Sequence, residues 1–585
     1  MFALQAMILG SDDIFYGKFK LPNGKIANLL PPIRDQNQPK GCDASWAFAA
    51  TTAMSIHFNI QNNGGFPETV LSPQSLINCT PASIPFKCNY GSNNSLKITD
   101  VFEVLKSKGV SDESCNHYHG DDTKDCSDMN QCKDCHYSDD ASRKLICKPI
   151  AYRAYKLAGY SLIKSSESDP KKKIDDLVSQ ISKEVAKGPL VCMFNHSEAL
   201  FKYRTTASKS FVDDDKLQKA YTTYGALVGF GKFGISNDNQ LVLQVSFSEN
   251  IGHFGLVYLP IDSKINDFKI LENCHTIQVG PNPKMISNGA FAGQGFNLMT
   301  DKGVKHIRTH AKISLNQGLI KLLPDNIPGE QISPLTGPAD PIDWRNKDGV
   351  NYITYVKNQN IPAYCGSCWA QSAASVIAEK LNIARGQKGD VFPKVYASVQ
   401  AIINCKIGGS CSGGDPSMFF QLAQKWKVPS ETCETYQAAN PPDFGCKPDA
   451  LCQSNTGTQH LTFNAYNGFR ITNWGRLKGV QQMKTALQNG PIVCNFEVTE
   501  DFKAYKKIDG KLNIYNTDDE YVETNHAISI VGWGVEKDTQ YWIVKNSWGR
   551  EWGYDGFFYI KAGNNVLGIE SACSWADVAF ETYDR

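Results

Sequence analysis

The chain repeats itself once over most of its length, so whatever fold it adopts has to be made twice. Ser72-to-Cys79 (SPQSLINC) answers Ser398-to-Cys405 (SVQAIINC), and Ser111-to-Tyr118 (SDESCNHY) answers Pro429-to-Tyr436 (PSETCETY). Gly188-to-Phe194 (GPLVCMF) answers Gly490-to-Phe496 (GPIVCNF), again in the same order. Residue 45 has its partner at 368 and residue 274 at 573, so the offset drifts as surface-loop insertions and deletions would make it. A short-period solenoid would repeat every few tens of residues; this is duplication of a whole domain.

Within each copy the periodicity changes along the chain. A helix is expected to open at Ser45 and at Cys368; in the second copy Trp369, Ala373, Val376, Ile377 and Leu381 recur at helical spacing. Later segments read as strands: Ala226-to-Phe230 with Ile528-to-Trp533, then Leu241-to-Phe247 with Gln540-to-Val544, separated by Gly-rich turns. An early helical part and a late β-rich part imply a two-lobed α+β domain with a cleft between the lobes. The expected layout is an N-terminal segment (1–16), a first domain (17–280), a linker or propeptide-like segment rich in proline (281–339) and a second domain (340–585). Residues 1–10 are apolar without a basic flank, and fit a signal remnant, a mature N-terminus or a packed first strand equally well.

Composition excludes some function classes. A net charge of +1 gives no bulk attraction to nucleic acid, and no apolar run approaches the length that spans a bilayer. There is no P-loop, no His-Glu-x-x-His and no zinc-finger spacing, so neither a metal nor a cofactor is expected. The 19 cysteines, scattered without metal spacing, suit an oxidising compartment. Together with sequons at Asn78, Asn93 and Asn195 they point to a secreted or endolysosomal protein.

Cysteine parity then singles out one thiol. Ten cysteines precede position 300 and nine follow it, and an odd set leaves one over. It lies in Cys365-Gly366-Ser367-Cys368-Trp369, whose counterpart in the first copy is Cys42-Asp43-Ala44-Ser45-Trp46. A helix opening at Cys368 would place the thiol at a positive dipole end, where a thiolate is favoured. His526, in Asn525-His526-Ala527-Ile528, is the candidate base. Asn546, in Lys545-Asn546-Ser547-Trp548-Gly549, is the candidate that orients it, and Gln359, nine residues before Cys368, the candidate oxyanion donor.

These four residues, with their order and local context, resemble the papain-like cysteine peptidases over about 245 residues from Asp340 onward. Asp343-Trp344-Arg345-Asn346 and the insertion Asn360-Ile361-Pro362 are similar to the cathepsin X subfamily. The resemblance implies a peptide or protein substrate, with Gly413, Gly414, Asn360 and Trp548 lining its site. In cathepsin X a histidine at the place of Asn360 helps hold the substrate's terminal carboxylate; the uncharged amide here leaves exo- versus endopeptidase action open. The resemblance also implies bonds Cys365–Cys411, Cys405–Cys433, Cys446–Cys452 and Cys494–Cys573. For the first copy it implies Cys42–Cys88, Cys79–Cys115 and Cys192–Cys274, with two more among Cys126, Cys132, Cys135 and Cys147. That reading accounts for Cys132-Lys133-Asp134-Cys135-His136 without the haem its spacing formally allows.

In the first copy the matching positions are Gln36, Ser45, either Thr223 or (with a one-residue gap) Tyr224 for the base, and Val245 for the amide. A serine without an imidazole is not activated, so this copy is expected to be catalytically dead. The competing expectation is a structural or binding protein made of two such domains with no catalytic use. Contact between the two domains within the chain is a further expectation.

Overall fold

A computed structural model of the chain describes residues 13–286 and 340–584, apart from positions 22, 82–87, 89–96, 138–143, 206–207, 214–220, 235, 237, 263–264, 441–445, 447–451, 456–459, 464 and 522. The sequon at Asn93, residues 1–10 and most of the expected linker lie outside the described residues.

Both repeats build the same body around a helix that begins at the cysteine-rich motif: Ser45–Gln61 in the first and Cys368–Gly386 in the second. These helices are buried on nearly every face, because each lies between its β-sheet and a short helix of the other lobe (Pro73–Cys79 or Val399–Asn404). Trp369, Ala373, Val376, Ile377 and Leu381 all lie in the core, as their spacing implies.

In the first body the sheet runs Leu256–Pro260, Gln240–Gln244, Tyr221–Gly231, Leu190–His196, Cys274–Val279, Leu157–Leu162. Ile14–Phe15 pairs with Tyr221–Gly231, so this part of the expected N-terminal segment packs with the first body. The strand expected over Leu241-to-Phe247 ends at Gln244; beyond it the chain turns toward the cleft. The second sheet repeats the pattern with nine strands, centred on Ile492–Phe496, His526–Glu536 and Thr539–Lys545. No helix among the described residues is long and apolar enough to cross a membrane.

Nine disulfides fasten the two bodies. Four join the expected partners: Cys42–Cys88, Cys192–Cys274, Cys365–Cys411 and Cys494–Cys573. The expected Cys79–Cys115, Cys405–Cys433 and Cys446–Cys452 bonds are replaced. Cys79 joins Cys126 and Cys115 joins Cys132, while Cys405 joins Cys446 and Cys433 joins Cys452. The reason is visible at Gln131. Its amide donates to Ser75 O (3.2 Å), and Ser111 Oγ donates to its carbonyl (2.7 Å). The 126–132 segment is thereby laid across both older cysteines, and only Cys135–Cys147 stays within the quartet. Asn78 is buried, and its amide donates to Asn130 O (2.9 Å) and accepts from Gln74 (3.0 Å), which leaves no room for a glycan.

The two bodies meet through equivalent surfaces. Arg550 N–H donates to Ser114 Oγ (2.9 Å), and its guanidinium reaches Asp112 Oδ2 (3.3 Å). The repeat matches Arg550 with Glu249, Ser114 with Thr432 and Asp112 with Ser430. Glu249 N–H donates to Thr432 Oγ1 (3.4 Å), and its carboxyl meets Ser430. Likewise the Arg345 guanidinium sits 5.0 Å from the Phe66 ring, while Gly17, at Arg345's position, abuts Phe392, at Phe66's. The contact therefore has a pseudo-two-fold axis, like the isologous interface of a C2 dimer.

Candidate active site

Cys368 is the sole unpaired cysteine among the described residues and opens its helix. The N-cap, Ser367, makes no side-chain cap; its hydroxyl pairs with Tyr436 Oη (2.7 Å). The first N–H groups of the helix are thus left for a ligand or a developing charge at the thiol.

His526 begins the strand His526–Glu536, opposite Phe496. Its Nε2–H donates to Asn546 Oδ1 (2.8 Å), and its ring lies 4.9 Å from that of Trp548. Nδ1 is buried and makes no hydrogen bond. With Nε2 protonated and held, Nδ1 carries the free lone pair. The thiol accepts from the backbone N–H of Ala527, the next residue, so Cys368 lies at the base's own strand end. Burial acts on both groups in the same sense. It pushes the thiol up to about 11 and the imidazole down to about 4, the bonds from Ala527 and the helix start opposing the first and Asn546 the second. A proton moving from sulfur to Nδ1 creates two opposite charges together, each offsetting the other's burial cost.

Gln359 is fixed from three directions. Its N–H donates to Ser547 O (2.8 Å), Ser547 Oγ donates to its Oε1 (2.7 Å), and Tyr436 Oη–H donates to its carbonyl (2.7 Å). Its own amide donates to Cys365 O (3.1 Å), which leaves the second N–H for an oxyanion. Ser547, Tyr436 and Ser367 were not singled out from sequence. Tyr436 carried a signal, because it ends a repeated motif; the other two sit inside motifs whose neighbours drew the attention.

Gly413 and Gly414 pair with Gly409–Ser410 beside the nucleophile. A Cβ on Gly414 would fall 2.5 Å from the Trp369 ring, so the tryptophan behind it requires glycine here. Asn360 follows Gln359 on the insertion, its N–H donating to Asn358 Oδ1 (3.0 Å).

The first body keeps this frame and changes the chemistry. Gln36 N–H donates to Ser246 O (2.8 Å), Ser246 Oγ donates to Gln36 Oε1 (2.7 Å) and Tyr118 Oη–H donates to Gln36 O (2.6 Å), reproducing the bonds around Gln359. Thr223 stands opposite Phe194 as His526 stands opposite Phe496, so Thr223, not Tyr224, occupies the base position. Val245 N–H donates to Gly255 O (3.0 Å) as Asn546 N–H does to Gly556 O (3.0 Å). The nearest imidazole, His196, has Nε2 on Thr223 Oγ1 and Nδ1 on Ser197 O (both 2.8 Å). Asp43 stands where the second body has Gly366, and its carboxyl meets both the Gln36 amide and the Ser45 hydroxyl. Burial pushes that carboxyl up to about 6. An acid there competes with any oxyanion for the same donors.

A thiol at a helix start, an imidazole oriented by an amide and a preset oxyanion donor define the cysteine-peptidase class of site. The description "Papain family cysteine protease" matches residues 23–276 and again 338–577, and the chain belongs to that family. Cathepsin Z of Onchocerca volvulus is 38% identical over 245 residues, covering 40% of this chain and 76% of the relative. Pro-cathepsin H of Bos taurus is 32% identical over 248 residues, covering 41% of this chain and 65% of the relative. Among solved structures, bromelain from Ananas comosus in complex with an inhibitor matches at 27% identity and a TM-score of 0.32, over 41% of this chain and 99% of that one.

Proposed function

We propose that the second domain is a cysteine peptidase of a secreted or endolysosomal compartment and that the first is its catalytically dead copy. The observation that carries this is the difference between the two base positions: His526 bonded to Asn546 in one, Thr223 bonded to His196 in the other. Cys368 Sγ attacks the peptide carbonyl as its proton passes to His526 Nδ1. The carbonyl oxygen takes the charge between the Gln359 amide and the Cys368 N–H, and the imidazolium protonates the departing amine. Water, deprotonated by the same imidazole, then splits the thioester and restores the thiol. Asn360 offers a terminal carboxylate a hydrogen bond but no charge, so carboxypeptidase character is expected to be weak and C-terminally amidated peptides to be cut as well.

The test is intact-mass analysis after incubation with an epoxysuccinyl inhibitor, for wild type, Cys368→Ala and Ser45→Ala. One adduct lost only in Cys368→Ala supports the reading. A folded wild-type protein without an adduct hands the lead to a structural or binding role for both domains.

A further inference from the structure

The oxyanion donor of the second domain sits on a segment that the first domain touches. Asn358, immediately before Gln359, bridges to Trp548, and the Lys357 carbonyl accepts from Gly549 N–H (3.0 Å). On the opposite side of Asn358 is His117 of the first domain, fully enclosed. Its Nε2 lies 3.2 Å from Asn358 O and 3.4 Å from Asn358 N. Nε2–H donates to the carbonyl in one tautomer and Nε2 accepts from the N–H in the other, and either bond ties Asn358 to the ring. The same ring meets Tyr436 edge-to-face at 6.0 Å, and Tyr436 Oη–H donates to the very next carbonyl, that of Gln359 (2.7 Å). Two consecutive residues of the oxyanion segment, Asn358 and Gln359, are thus held by two touching rings, one from each domain.

This contact departs from the pseudo-symmetry of the interface. The repeat matches His117 with Thr435 and Asn358 with Asp35. A threonine has no ring to place against Tyr118, the counterpart of Tyr436, and Asp35 is met instead by Ser454. The interface keeps its two-fold relation at the pairs described above and loses it where it reaches the second domain's site.

We infer that the first domain is a working part of the second domain's active site, with His117 as a positioning residue that fixes the Asn358–Gln359 segment and hence the oxyanion donor. The inference rests on the reading that the Cys368 domain is the active one. His117 touches no reacting atom; it acts through Gln359. Placement of an oxyanion donor governs the transition state more than substrate binding, and small displacements are costly.

The experiment uses the full-length protein as wild type, His117→Phe, His117→Ala and the mirror control Thr435→Ala. His117→Phe keeps a ring against Tyr436 and removes the polar contacts of the imidazole, with Asn358 and with Glu113 at 3.9 Å, so it remains decisive where His117→Ala fails to fold. Three quantities are measured: kcat and KM on a fluorogenic peptide, inhibition by a peptide aldehyde whose hemithioacetal oxygen occupies the oxyanion site, and the rate of Cys368 alkylation by iodoacetamide. In His117→Phe, kcat and aldehyde affinity are expected to fall together by about 10-fold, with KM and alkylation unchanged. Thr435→Ala is expected to match wild type. Unchanged kcat and aldehyde affinity in His117→Phe overturn the inference, as does a parallel fall in alkylation, which marks general loosening. A wild-type protein that neither turns over substrate nor alkylates at Cys368 sinks the parent reading, and this one with it, before any variant is needed.

Discussion

Glu68 and Lys394 hold the same position in the two repeats, and their side chains meet across the domain interface at 2.6 Å. Each side chain is only 9% exposed, and Tyr396 Oη–H also donates to Glu68 (3.3 Å). The pseudo-two-fold axis therefore passes between two unlike charges. In a dimer of identical chains the same site would bring two like charges together.

Breaking this pair leaves a buried charge unmatched. Lys394→Glu is expected to destabilise the docked protein by about 3–5 kcal/mol. Adding Glu68→Lys should recover most of that loss by exchanging the charges across the axis. Thermal unfolding of the two single variants and the double variant checks this; additive losses would show that the pair is not coupled.

Removal of the oxyanion amide should be felt in the chemical step. Gln359→Ala is expected to lower kcat by about 10²–10³, with a much smaller change in KM. Steady-state kinetics on a peptide substrate, beside inhibitor titration of the active thiol, separates slow turnover from a smaller active fraction.

Repairing the first domain requires more than its nucleophile. In a Cys368→Ala background, Ser45→Cys alone should take no epoxysuccinyl adduct, since Asp43 holds the donors and Thr223 supplies no base. Adding Asp43→Gly, Thr223→His and Val245→Asn is expected to produce slow labelling at position 45, read by intact mass.

The interface should hold better in mild acid. Burial raises Glu249 from its ordinary 4.5 to about 7, with only a bond from Ser430 opposing it, and raises Asp35 to about 7 as well. A carboxyl with a raised folded pKa binds more protons folded than unfolded, so its contribution is complete below about 4.5 and is lost as pH climbs through about 7. Unfolding temperature is expected to be higher at pH 5.5 than at pH 7.5, and Glu249→Gln should flatten that dependence. A curve that keeps its slope in Glu249→Gln would place the effect elsewhere.

Much of this was legible in the residues because the chain carries its own comparison. The Cys368 helix and the strand containing Gly532 follow from spacing, and the repeat carries the helix start across to Ser45, whose own helix is buried on nearly every face and shows little periodicity. The disulfides divide differently. Cys494–Cys573, which joins adjacent strands, is among the bonds that the family resemblance implies and the structure shows. Those at Cys79, Cys115, Cys405 and Cys433 depend on how a loop crosses a helix end, which no local pattern encodes. The choice between Thr223 and Tyr224 likewise needed the register against Phe194. His117 was invisible for a deeper reason: its partner lies 241 positions away in the other domain.

A symmetric pair of identical subunits cannot change one end of its contact without changing the other, because every substitution is made twice. Joining the two copies in one chain lifts that restriction. Glu249 and Arg550 occupy equivalent places and are now an acid and a base, and His117 and Thr435 have parted in the same way. The covalent link also fixes the ratio of the two kinds of subunit at one to one, at any concentration and however dilute the surroundings. On the proposed reading, a copy joined in this way loses its chemistry without leaving the other short of a neighbour.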